Sequence, residues 1–289
     1  MPARARAPSA EPARLFDVHL ESDLRPDDDL RNLAYFGVTD ALLCLHEGDP
    51  DAGPAARGAR ARSADPRPVR VRSGSSPAVD RLRGLVEREP ARLRAAGIRP
   101  WLAPGVPAGW AHTPGVAAAL ELLPDLLGAP GVVAVGGIGP GDGTPLELRA
   151  LALQLGIAAA RGLPALVCLP RNGRPAAVRR VLGLAGDAAL PPARLCFAHA
   201  NLAALREARR AGTWVALGVH PADFDPEVAA RLVARHGAER VCLGSMLGVG
   251  PGDVLALPRI GRALARAAVP AAAAERALFA NAVRFLGVG

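Results

Sequence analysis

The amino-acid sequence predicts an α/β fold, a single (β/α)8 TIM barrel with an extra C-terminal helix. One rhythm runs from Leu15 to the C-terminus: a short β-rich run, a polar or Gly/Pro loop, then an Ala/Leu/Arg helical pattern. Eight such units in roughly 270 residues suit a barrel better than an open doubly wound sheet. No G-x-G-x-x-G, the usual first turn of a dinucleotide-binding open sheet, follows the first strand.

The first strand is expected at Leu15 to Leu20, and its helix opens near Arg25-Pro26-Asp27, where proline and acids mark a start. The second strand is Val38 to Leu45 and its helix Val79 to Ala96. Ile98 to Ala103 follows with Val116 to Leu127, which Pro124 should kink or shorten. Strand four is Val132 to Val135 with Pro145 to Arg161, and strand five Ala165 to Leu169 with Pro175 to Gly186. Strand six is Arg194 to Ala198 with Leu202 to Arg210, and strand seven Trp214 to Val219 with Pro226 to Arg235. Strand eight is Arg240 to Leu243 with Val254 to Ala267, and Ala271 to Phe285 forms the extra helix.

Of 289 residues, 50% are hydrophobic and 21% charged, enough for a sizeable core and too apolar for a disordered chain. No run approaches the roughly 18 apolar residues of a membrane span, and the opening residues lack a signal peptide's apolar region. A soluble, cytoplasmic protein without membrane partners is expected. The four cysteines stand singly, with no C-x-x-C pair, and read as reduced thiols. The net charge of +8 comes from 35 basic residues, every one arginine, beside abundant alanine, glycine and proline. That usage fits a GC-rich genome as well as it fits a nucleic-acid footprint. Residues 1–13 read as a disordered tail, 14–289 as the barrel domain, and 47–78 as a long flexible loop. The loop carries Arg57, Arg60, Arg62, Arg67, Arg70 and Arg72 on the face where barrel enzymes keep their chemistry.

Barrel geometry directs attention to the C-terminal strand ends, and His19, His46, His199 and His220 fall there. Singly, each reads as a packed histidine; jointly they predict a shared site. In Phe16-Asp17-Val18-His19-Leu20-Glu21, period-two alternation puts Asp17, His19 and Glu21 on one face, with Val18 and Leu20 toward the helices. Arg171 could grip a phosphate from the mouth or stay solvated. The glycine run from Gly136 to Gly143 lacks the lysine and Ser/Thr of a P-loop and is expected as a turn after strand four. No G-x-S-x-G elbow is present.

With its D-x-H start, the chain resembles the TatD-like metal-dependent hydrolases of the amidohydrolase superfamily, whose first strand carries D-x-H-x-H. Val132-Val133-Ala134-Val135-Gly136-Gly137-Ile138-Gly139 resembles the family's V-x-A-x-G-E-I-G. Leu163 to Cys168 resembles L-P-x-x-x-H, and Cys196-Phe197-Ala198-His199 the sixth-strand motif ending in histidine. Leu278 to Gly287 resembles the closing helix. Gly244 to Gly248 and Gly252-Asp253-Val254-Leu255 resemble a branch with N-S-x-x-D and S-D-P-L.

The resemblance implies a site in which two first-strand histidines, a bridging glutamate, histidines of strands five and six, and a strand-eight aspartate hold one or two divalent metals. His19 and His199 match. Glu21 stands for the second histidine and Cys168 for the strand-five histidine, both able to bind metal. The bridging glutamate is replaced by Gly137, and the catalytic aspartate by Gly248 or Met246. This implies one ion, zinc by its ligands, on His19, Glu21, Cys168 and His199, or a mouth with no metal at all. Asp17, His46, Arg171 and His220 are supporting or substrate-binding candidates. Three functions follow: a hydrolase of phosphoesters or related substrates with weakened or lost activity, a catalytically inactive scaffold or binding barrel, and a basic nucleic-acid binder. The sequence leaves the oligomeric state open.

Overall fold

The computed structural model describes residues 14–45, 48, 76–220, 223–248 and 252–289. The expectations for the tail 1–13, for His46 and for nearly all of the 47–78 loop lie outside these residues. The chain runs β1 (Leu15–Leu20), α1 (Asp27–Tyr35), β2 (Val38–Leu43), α2 (Pro77–Glu87), α3 (Glu89–Ala96), β3 (Arg99–Leu102), α4 (Val116–Leu126) and β4 (Val135–Ile138). It continues with α5 (Pro145–Ala160), β5 (Ala165–Cys168), α6 (Arg174–Asp187), β6 (Leu195–Ala198), α7 (Leu202–Arg210) and β7 (Trp214–Gly218). Last come α8 (Pro226–His236), β8 (Val241–Gly244), α9 (Ala256–Arg266), α10 (Ala271–Glu275), a π-helical turn at Arg276–Ala280, and α11 (Asn281–Leu286).

Local sequence explains the helix starts. Ser76, Thr144, Asn201 and Asp225 each accept the backbone N–H three residues on, and Glu147 returns a bond to the Thr144 amide at 2.8 Å. Such caps are worth about 1 kcal/mol apiece. The helix expected over Val79 to Ala96 is two helices, α2 and α3, meeting at Arg88. Pro90 is the reason: it lacks an N–H, and its ring would collide with the Val86 carbonyl of a continuous helix.

All strand pairs are parallel, in the orders β1-β2-β3 and β4-β5-β6-β7-β8. Single parallel bridges link the two sheets at both edges, Leu102 with Val132 and Leu20 with Leu247. Val133 N donates to Leu102 O at 3.0 Å, and Glu21 N to Leu247 O at 2.9 Å. Side chains of consecutive strand residues part into two cores, as a period of two requires. Leu43, Val167 and Phe197 pack with helix residues such as Leu82, Leu151 and Val181, whereas Leu42, Cys44, Leu166, Cys196 and Cys242 pack among strand residues.

Two strands depart from expectation. In β1 the alternation is broken: register against β2 shifts between Asp17 and Leu20, so Val18 joins the strand-lined core while Leu20 joins the helix-facing one. β4 lies three residues beyond its expected place. Val132 makes only the isolated bridge, and Gly136 and Gly137, expected in a turn, are strand residues. The β-branched run lost to pairing with β5, whose register slips between Gly136 and Ile138 around Gly137 at φ +69°. Glycine permits that left-handed bulge without a Cβ penalty.

Candidate metal centre

At the end of β1, Asp17 is fully buried and committed to the β1–β8 seam. Its Oδ1 accepts from Ser245 N at 2.9 Å and His19 N at 3.2 Å, and its Oδ2 accepts from the Ser245 hydroxyl. Burial pushes the Asp17 carboxyl up from its ordinary range against these hydrogen bonds. Both Asp17 oxygens are thus taken up by Ser245 and the His19 amide, and Asp17 is not among the donors that gather with His19.

His19, Cys168 and His199 do converge. From the ends of β1, β5 and β6 they bring one donor atom each within 4.8 Å of the others. The rings of His19 and His199 lie 5.3 Å apart, nearly edge to face. Register places them: Cys168 pairs with Ala198, and the chain turns at His199 through a left-handed φ of 57°. That conformation costs about 1–2 kcal/mol in a residue with a side chain and concentrates at functional sites.

Each histidine has one ring nitrogen against a carboxylate. His199 Nδ1 lies 2.6 Å from Asp223 Oδ2, and Asp223 Oδ1 accepts from Arg174 Nη2 at 2.7 Å. Burial would raise the Asp223 carboxyl, but hydrogen bonds from His199 and Arg174 and their charges outweigh it and hold it below the usual range. His19 Nε2 lies 3.5 Å from Glu21 Oε1, while His19 Nδ1 is buried with no hydrogen-bond partner. Sequence reasoning missed Asp223, Arg174 and Ser245. The available signal for Asp223 was a carboxylate three residues past His220 at the end of β7.

Glu21 stands beside His19 and outside the group of three. His220 is half-buried; burial lowers its pKa, against the nearby negative charges of Asp223 and Glu21, with the charges of His199 and Arg171 lowering it further. Arg171 is exposed. Met246, at φ 50°, packs in the strand-lined core. A Cβ on Gly137 would aim at the main chain of Leu45, 3.1 Å from its carbonyl oxygen. Cys44, Cys196 and Cys242 are buried, and burial pushes their thiols up, Cys242 to about 12. The donor chemistry fits a divalent ion: two imidazoles and one thiol, with the orphaned Nδ1 of His19 a buried nitrogen that an ion would satisfy.

No protein-family model matches the sequence. The chain is 25% identical over 249 residues to an uncharacterized metal-dependent hydrolase of Methanocaldococcus jannaschii, covering 85% of this chain and 88% of that one. The crystal structure of a TatD-like protein from Archaeoglobus fulgidus superposes with a TM-score of 0.71 at 25% identity, over 94% of this chain and all of that one. The phosphotriesterase homology protein of Escherichia coli, solved with phosphate in its active site, shares the fold at 15% identity, with a TM-score of 0.64 over 96% of this chain and all of that one. Likeness in sequence and fold, together with histidines and a thiol gathered at the strand ends, makes the chain similar to the TatD-like metal-dependent hydrolases and supports a place in the amidohydrolase superfamily.

Proposed function

We propose that the chain is a hydrolase of phosphoesters or related small substrates that uses one divalent ion, zinc by its donor set, on His19, Cys168 and His199. The gathering of these three donors within 4.8 Å carries the reading. Residues 14–289 then form one barrel, closed through the Leu102–Val132 and Leu20–Leu247 seams. Two nitrogens and a sulfur make a donor set of three, the number of protein ligands that catalytic rather than structural zinc sites supply.

Held by His19, Cys168 and His199, a divalent ion would supply Lewis acidity toward a substrate oxygen. The chain's own groups do the rest. Asp223, held by Arg174, keeps a proton on His199 Nδ1 and so leaves Nε2 as the free nitrogen. Arg171, exposed and charged, brings positive charge near His220, suited to an anionic substrate, while burial disfavours the charged form of His220 itself. A second ion has no bridging carboxylate at Gly137, and neither Gly248 nor Met246 accepts a proton, so turnover is slow.

Among the described residues no helix is long and apolar enough to cross a membrane. The test is metal content of protein purified without chelator, followed by a screen of phosphoesters and phosphodiesters. One ion per chain with metal-dependent turnover supports the reading. One ion without turnover leaves the inactive binding barrel, and salt-dependent nucleic-acid binding that metal does not affect would favour the basic binder.

A further inference from the structure

We propose that Glu21 and Gly248 are a fitted pair: the absent side chain at 248 leaves the space in which the Glu21 carboxylate sits and orients His19. A Cβ built on Gly248 would stand 1.7 Å from Glu21 Oε2, 2.6 Å from its Cδ and 3.0 Å from its Cβ. Gly248 is not needed for its backbone, since its φ is not among the positive ones. It is needed for its emptiness.

Nor can the clash be relieved by sliding the two segments apart. Glu21 N donates to Leu247 O at 2.9 Å, the bridge Leu20–Leu247 lies beside it, and Arg25 Nη1 donates to Gly248 O at 3.0 Å. Any side chain at 248 must expel the carboxylate. Where it sits, Oε1 is 3.5 Å from His19 Nε2 and the side chain is nearly buried. A carboxylate there favours the proton on Nε2 and leaves the lone pair on Nδ1, the buried nitrogen without a hydrogen-bond partner. His199 is arranged in mirror image, with Asp223 on Nδ1. Glu21 is thus a positioning residue that acts through His19, and Gly248 acts through Glu21. The role in ion binding rests on the metal reading above, whereas the pairing itself does not.

The experiment has a metal-free and a metal arm. 15N spectra of the histidine-labelled apoprotein at mildly alkaline pH report which His19 nitrogen carries the proton. We expect Nε2–H in the natural protein and in Glu21→Gln, whose amide oxygen still accepts, and a mixture in Glu21→Ala and Gly248→Ala. Zinc affinity by chelator competition should fall about 10–100-fold in Glu21→Ala and Gly248→Ala and less in Glu21→Gln. The double variant should match Glu21→Ala alone, because Gly248→Ala acts only by displacing the carboxylate. An unchanged His19 tautomer in Glu21→Ala, or a Gly248→Ala effect as large with Glu21 removed as with it present, would overturn the proposal. Expected tautomers in a natural protein that binds no zinc would uphold the pair and overturn the metal reading instead.

Discussion

His199 Nδ1 and Asp223 Oδ2 lie 2.6 Å apart, joining the end of β6 to the segment after β7. Asp223 is in turn held by Arg174, whose Nε donates to Pro170 O at 3.1 Å. This chain of bonds fixes the ring of His199 beside Cys168 before any ligand arrives.

Removing that support should loosen the ion rather than the fold. Asp223→Ala is expected to weaken zinc about 10–100-fold, measured by competition with a chromophoric chelator. Asp223→Asn should lose less, since its oxygen can still accept from Nδ1. Equal zinc affinity in all three proteins would show that His199 needs no orienting partner.

Family resemblance suggests that Gly137→Glu would restore a bridging carboxylate, and the backbone argues otherwise. Gly137 has φ +69°, and its Cβ direction leads to the Leu45 carbonyl. A left-handed glutamate costs about 1–2 kcal/mol before the close contact is counted, so the melting temperature should fall by several degrees. Zinc stoichiometry should remain at one. A variant that is stable and takes up a second ion would reveal a different backbone at this bulge.

The thiols divide by burial. Cys44, Cys196 and Cys242 are buried with their pKa values pushed up, Cys242 to about 12, so at pH 8 each stays protonated and shielded. Only partly exposed Cys168 should react quickly with a disulfide reagent in the folded protein, and zinc should protect it. The other three should react only on unfolding. Fast labelling of any buried thiol would contradict the core assignment.

Gln154 tests the packing that positions the site. Its side chain accepts from Val106 N at 2.6 Å and donates to Val106 O at 3.0 Å, tying α5 to the loop after β3. Gln154→Leu leaves both backbone groups buried and unpaired, at about 1–3 kcal/mol each. Denaturant unfolding should register that loss; an unchanged midpoint would mean that water takes over both bonds.

Alternation of strand and helix was legible in the sequence because each unit carries its own period and punctuation, and β1, α5 and α7 begin where residues alone place them. The site was legible in part. His19, Cys168 and His199 stand at strand ends, and barrel geometry brings strand ends together. Asp223 was not legible, since it belongs to no local pattern and its partner His199 is 24 residues away; Ser245 stood inside the Gly244 to Gly248 motif, but its bond to Asp17, 228 residues away, did not show. The bulges at Asp17–Leu20 and Gly137 were also hidden: they arise from register between strands, which no single segment encodes. Glu21 shows the same limit, because its place depends on the space above Gly248.

Titration of the apoprotein with cobalt(II) tests the central claim most directly, since a cobalt–thiolate bond gives an intense near-ultraviolet charge-transfer band. Saturation at one equivalent is expected with that band present, and its loss in Cys168→Ser with weaker visible absorption retained. Absence of binding, saturation at two equivalents, or a band that survives Cys168→Ser would contradict an ion held by His19, Cys168 and His199.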